Sequence, residues 1–146
     1  MIESIYSNYK TLRHLGIVVR DMDKSLKFYK YLGYEVVADV KEDSKFIDTI
    51  LGLNNSDLRT VKMTYDDNHM IELLHYINPI SEDNLKRVNF VGCSHFALTV
   101  SNIEYLYKDL LKIGVEFISE PISNVKVKVA FCKDPNDVYL ELVEEL

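Results

Sequence analysis

The chain has 146 residues, 47% of them hydrophobic, and 17 Lys+Arg against 23 Asp+Glu give a net charge of −6. That length and apolar content suit one sizeable core and exclude a disordered chain. Lysines are interspersed with acids and form no basic stripe, which argues against a nucleic-acid partner.

No apolar run approaches the ~20 residues of a spanning helix, and MIESIYSNYK lacks a basic segment followed by an apolar one, so the reading is a soluble, cytoplasmic protein with no membrane partner. In chain order, LGIVV is short, apolar and β-branched and reads as a buried strand. Asp21 or Asp23 then caps a helix whose Met22, Leu26 and Tyr29 share a face, and Gly33 ends it. YEVVADV, RTVKMTY and HMIELLHY follow as three strands. Between the first two stands SKFIDTILGLNNSDL, where Phe46, Ile47, Ile50 and Leu51 form one face of a short helix, either a surface helix over a sheet edge or a lid over a cavity. The polar stretch PISEDNLKR, with Pro79, reads as a linker.

The second half repeats the order. FALTV is a strand, and Asn102 caps a helix with Ile103, Leu106, Leu110 and Ile113 on one face and Gly114 at its end. VEFIS, KVKVAF and VYLELVEEL then read as strands. HLGIVVRDMDKSLKFYKYLGYEV and HFALTVSNIEYLYKDLLKIGVEF align without a gap at an offset of 81 (95 − 14), which marks an internal duplication. The glutamates of IELL and LELV are only 69 apart (141 − 72), so the first half carries 12 extra residues (81 − 69) between positions 36 and 71, placed in SKFIDTILGLNNSDL. The chain is thus one domain over 1–146, with module one at about 10–78, a linker at about 79–90 and module two at about 91–146.

Strand alternation puts His14 on a face with Gly16 and Val18, His95 with Ala97 and Thr99, Glu72 with Met70 and Leu74, and Glu141 with Tyr139 and Val143. An ionised carboxylate without a partner in so apolar a strand is costly, whereas two imidazoles and two carboxylates converging on one divalent cation satisfy all four groups. That set suits Zn, Ni, Co, Mn or Fe(II) and leaves coordination positions open for water or substrate. His69, in the turn DDNH, and His75, on the face opposite Glu72, read as surface or rim residues. Cys93 and Cys132 form no CxxC pair and read as small buried thiols.

HLGIVVRDMDKSLKFYKYLGYEV, MIELLHY, GCSHFALTV and FCKDPNDVYLELVEE together resemble the vicinal oxygen chelate superfamily, which includes glyoxalase I, methylmalonyl-CoA epimerase, extradiol dioxygenases and the bleomycin and fosfomycin resistance proteins. The resemblance implies an α+β fold of two tandem βαβββ modules forming a half-open, barrel-like mixed sheet around a metal. It puts the ligands at His14, Glu72, His95 and Glu141. Four ligands favour the glyoxalase I and epimerase branch, since the resistance proteins of the bleomycin-binding type lack them and the extradiol dioxygenases use three.

The implied function is a metal-dependent lyase or isomerase that abstracts a proton next to a metal-bound carbonyl of a small organic substrate. Glu141 is the base and Glu72 its partner, and the expected assembly is a homodimer whose modules pair within one chain or across subunits. Three departures qualify it. Asp137 stands where the family often has Gly. Val18 and Tyr76 replace the Arg and Asn that hold glutathione in bacterial glyoxalase I, which argues against that thiol. An epimerase needs a further acid/base group, for which Glu42, Asp43 and Asp48 are the candidates. The alternatives are a methylmalonyl-CoA-epimerase-like enzyme and a non-catalytic small-molecule-binding protein.

Overall fold

Residues 10–83 and 86–146 are described by a computed structural model. Their contacts separate into two units, the first ending at Ser81 and the second running from Glu82 to Leu146. The strands form two four-stranded mixed sheets, one in each unit, and neither closes into a barrel. No helix among the described residues is long and apolar enough to cross a membrane.

Unit one contains β1 (Leu15–Val18), α1 (Met22–Tyr31), β2 (Glu35–Glu42), α2 (Lys45–Leu51), β3 (Asp57–Asp66) and β4 (His69–Asn78). The sheet order is β1-β4-β3-β2, with β1 parallel to β4 and the other pairs antiparallel. Apolar residues at alternate strand positions, Ile17, Val19, Val61, Met63, Ile71 and Leu73, are buried, together with Met22, Phe28 and Tyr29 of α1, which packs on β4. Burying each such side chain stabilises by about 1.5–3 kcal/mol. Asp21 is the helix cap, its carboxylate accepting the Lys24 amide at 3.0 Å. The buried stripe of α1 runs through Met22, Ser25, Phe28 and Tyr29, leaving Leu26 half-buried, because the Ser25 hydroxyl turns inward and donates to the Asp21 carbonyl at 2.9 Å. Gly33 follows with φ +95, and a Cβ there would lie 3.1 Å from the Tyr65 ring, so both backbone and space call for glycine.

The extra segment is α2, capped by Ser44 and closed by Gly52 at φ +67. The Asp48 carboxylate ties its end down by accepting the Asn55 and Ser56 amides at 3.1 and 2.8 Å. The four expected face residues do not bury together. Only Ile47 is buried, while Phe46 is 68% and Ile50 59% exposed and Leu51 is also exposed, so helical spacing alone did not bring the four onto a covered face.

Unit two contains β5 (His95–Thr99), α3 (Ile103–Lys112), β6 (Ile122–Ser123), β7 (Val127–Lys133) and β8 (Tyr139–Glu145), in the sheet order β5-β8-β7-β6. Again the first and last strands pair in parallel. Asn102 accepts the Tyr105 amide at 2.9 Å, and Glu144 of β8 accepts the Ile103 amide at 2.7 Å, so two side chains satisfy the start of α3. Ile103 and Leu110 are buried against β7 and β8 with Ala130, Cys132, Leu140 and Leu142; Leu106 is half-buried, and Ile113, which ends the helix, is exposed.

VEFIS is not a strand. It makes one bridge, Phe117 to Cys132, and the ladder resumes only at Ile122 opposite Val129. Over that interval one segment advances five residues and its partner three, so residues 119–121 are thrown out of the ladder, where Pro121 has no N–H to donate. Asp137 adopts φ +62 in the β7–β8 turn, a left-handed position that favours glycine, while Asp134 accepts the Asn136 and Val138 amides. Cys93 is exposed rather than buried, lying before β5 in an irregular segment; Cys132 is buried, and burial pushes its thiol up to about 12.

Candidate metal centre

In unit one, Gly16 of β1 stands opposite Glu72 of β4. His14, two residues earlier, is the diagonal neighbour on the same face, and its Nε2 lies 2.9 Å from Glu72 Oε2. The opposite face of both strands carries Ile17, Val19, Ile71 and Leu73 into the core, so alternation turns the His14–Glu72 face away from it. The two side chains stay partly accessible, at 25% and 15%. His14 Nδ1 is buried without a hydrogen-bond partner.

Unit two builds the same arrangement. Ala97 of β5 stands opposite Glu141 of β8, and His95, again two residues earlier, brings Nε2 to 3.2 Å from Glu141 Oε2. The Ser94 oxygen lies 2.6 Å from His95 Nδ1, which orients the ring and leaves Nε2 directed at the carboxylate. The Phe131 ring meets the His95 ring edge-on at 5.0 Å.

The four expected residues thus meet in twos, His14 with Glu72 and His95 with Glu141, and each unit supplies one nitrogen and one oxygen donor. That donor chemistry suits a borderline divalent cation. Among the described residues no three His, Cys, Asp or Glu side chains gather into a group that could hold a metal; the expected set of four stands as two His–Glu pairs, one in each unit.

The remaining expected residues sort by their contacts. The Ser56 side chain first, then the Ser56 and Asn55 amides, hold the Asp48 carboxyl below the usual range. Asp43 is exposed beside Lys41 at 3.4 Å. Glu42 lies in the same cross-strand row as Leu58 and Tyr76, and burial, then Glu42 and Glu72, raise the Tyr76 phenol. Val18 is half exposed on the His14 face. His69 is exposed and its Nδ1 lies 2.7 Å from Asp66; His75 is half-buried.

Two residues at the site escaped the sequence reading. Lys62 of β3 stands opposite Glu72, with Nζ 3.7 Å from Oε1, and Phe131 of β7 stands opposite Glu141. They are repeat equivalents at the offset of the two glutamates (131 − 62 = 69), and that alignment was the signal available for finding them. Beyond Phe131, a cleft of about 300 Å³ in unit two is lined by Ile118, Ile122, Val127 and Val129 with Ser119 and Asn124.

The sequence pattern of the Glyoxalase/Bleomycin resistance protein/Dioxygenase superfamily matches residues 11–142. The uncharacterized protein YwkD of Bacillus subtilis is 28% identical over 141 residues, covering 93% of this chain and 98% of that protein. A lactoylglutathione lyase of Schizosaccharomyces pombe is 34% identical over 154 residues, covering 95% of this chain but 48% of that enzyme, so the chain spans about half of that relative. Among solved structures, a glyoxalase family protein of Bacillus cereus shares the fold with a TM-score of 0.89 at 20% identity, covering 100% of this chain and 99% of that one. The trypanothione-dependent glyoxalase I of Leishmania major gives 0.69 at 25% identity, covering 93% and 87%. The duplicated modules with their paired first and last strands are therefore an inherited plan, and the chain belongs to the Glyoxalase/Bleomycin resistance protein/Dioxygenase superfamily.

Proposed function

We propose that this chain is a divalent-metal-dependent, glyoxalase-like lyase or isomerase that moves a proton on the carbon beside a carbonyl of a small organic substrate. The supporting observation is the repeated diagonal pair, His14–Glu72 at 2.9 Å and His95–Glu141 at 3.2 Å, on the accessible face of each sheet. In this reading the four side chains hold one cation of the Zn, Ni, Co, Mn or Fe(II) group, one His–Glu pair from each module, in a homodimeric protein.

When bound, the cation polarises the substrate's carbonyl oxygen. The Glu141 carboxylate takes the proton from the adjacent carbon and returns it to the neighbouring atom, with Glu72 as its counterpart. Phe131 rather than a cation flanks Glu141, which suits a carboxylate that must accept a proton. Val18 and Tyr76 point to a substrate other than a glutathione adduct. The competing reading, a sequestering protein on the same face, predicts no exchange of the substrate's α-hydrogen with deuterated water.

The test is metal content and calorimetric affinity of the wild type beside Glu141→Ala, His95→Ala and His14→Ala, with light scattering for the assembly. Near-stoichiometric metal in the wild type, lost or much weakened in all three variants, supports the reading. A wild type that takes up no divalent metal overturns it. Mixing His14→Ala with His95→Ala protein tells whether the half-sets meet within a chain or across two, since only the second arrangement regains metal.

A further inference from the structure

The two His–Glu pairs match, yet their neighbours on the third strand do not. Glu72 is held between His14 Nε2 at 2.9 Å on Oε2 and Lys62 Nζ at 3.7 Å on Oε1, whereas Glu141 has His95 and stands opposite Phe131, whose ring meets that of His95. Lys62 occupies the β3 position between Ala38 of β2 and Glu72 of β4, so the side facing β2 carries only a methyl group. Its side chain is 34% accessible. A lysine here is not a packing requirement, because the duplicated position accommodates Phe.

We infer that Lys62 is a specificity-determining residue that selects substrates carrying a carboxylate next to the reacting carbonyl or hydroxyl carbon. This rests on the metal-site reading above. A dication and an ammonium both draw on the single negative charge of Glu72, and when the cation takes it, Lys62 is left beside a positive centre without compensation. A substrate carboxylate restores the balance. The ammonium is a compact charge on a flexible four-carbon stem and can turn from Glu72 to such an oxyanion without moving the strand.

The test uses full-length protein loaded with cobalt(II), whose visible absorption reports ligands entering its coordination sphere. Two probes of nearly equal size are titrated, hydroxyacetate and the uncharged hydroxyacetone. Lys62→Met weakens hydroxyacetate binding by about tenfold, as loss of one charge-assisted contact does, while hydroxyacetone changes by less than about threefold; Lys62→Arg keeps most of the hydroxyacetate affinity. Equal weakening of both probes, or no change in either, overturns the assignment. So does loss of cobalt from both Lys62→Met and Lys62→Gln, which would make Lys62 a support of the metal site rather than a reader of substrate. A wild type that takes up no cobalt overturns the metal reading itself, and this inference with it, and is thereby distinct from a loaded wild type whose probe preference ignores Lys62.

Discussion

In unit one the strand after the helix runs eight residues along β3, from Glu35 to Glu42; in unit two its counterpart has shrunk to the Phe117–Cys132 bridge and the two-residue β6. The strands carrying His and Glu kept their parallel register in both, with Gly16 opposite Glu72 and Ala97 opposite Glu141. The variable strand lies at one edge of each sheet and the histidine strand at the other, so erosion at the first edge leaves the diagonal pair undisturbed. A duplicated fold can vary where a strand has one neighbour and no chemistry. It has also diverged beside the His–Glu pair, where Lys62 stands against Phe131.

The sharpest way to break this near-equivalence is at the two glutamates. Glu141→Gln is expected to lower turnover by about 10²–10⁴-fold, the usual contribution of a positioned base, and Glu72→Gln by less at saturating metal; stopped-flow or isotope exchange on a responsive α-proton substrate measures both. If Glu72→Gln is the more damaging, the base lies in module one. Next comes the core. Leu73 and Leu142 are repeat equivalents (142 − 73 = 69), both fully buried, so Leu73→Ala and Leu142→Ala should each cost about 2–5 kcal/mol in urea unfolding, and a large inequality would show that the shortened sheet yields more readily around a cavity.

Smaller effects separate the helix caps. Asn102→Ala should cost about 1 kcal/mol at any pH, since an amide does not titrate. Asp21 differs. The Lys24 amide holds its carboxyl below the ordinary value of 3.8, so its stabilisation is complete above that pH and is lost as pH falls through the depressed folded value. Asp21→Asn should therefore match the wild type at neutral pH and lose less stability than the wild type in an acid titration followed by circular dichroism. At Asp137 a comparable effect is expected: Asp137→Val should destabilise by about 1 kcal/mol, a β-branched side chain at φ +62 being strained, and Asp137→Gly should melt slightly higher.

Much of the fold was legible because two periodicities alternate cleanly. Ile71 and Leu73 against Met70, Glu72 and Leu74 put the glutamate on a definite face, and the same count put His14 with Gly16 and Val18 and His95 with Ala97 and Thr99. What escaped depended on neighbours that alternation does not name. VEFIS has strand composition, but its pairing is set by a two-residue slip and by Pro121 two positions beyond it. Phe46 and Ile50 have helical spacing, yet spacing is silent on what covers them. Lys62 reads as one polar residue in RTVKMTY until β3 is laid against β4 and its ammonium meets Glu72.

His14 and Glu72 are 58 residues apart in the chain (72 − 14), and His95 and Glu141 are 46 apart (141 − 95). They meet only when the first and last strands of a module have come together, the contact that closes its longest loop. Whatever clamps such a pair therefore acts as a staple across a whole module, and its binding energy adds to the stability of the strand pairing that is slowest to find itself. A cation that needs both pairs would then report, by its uptake, on whether both modules have finished folding.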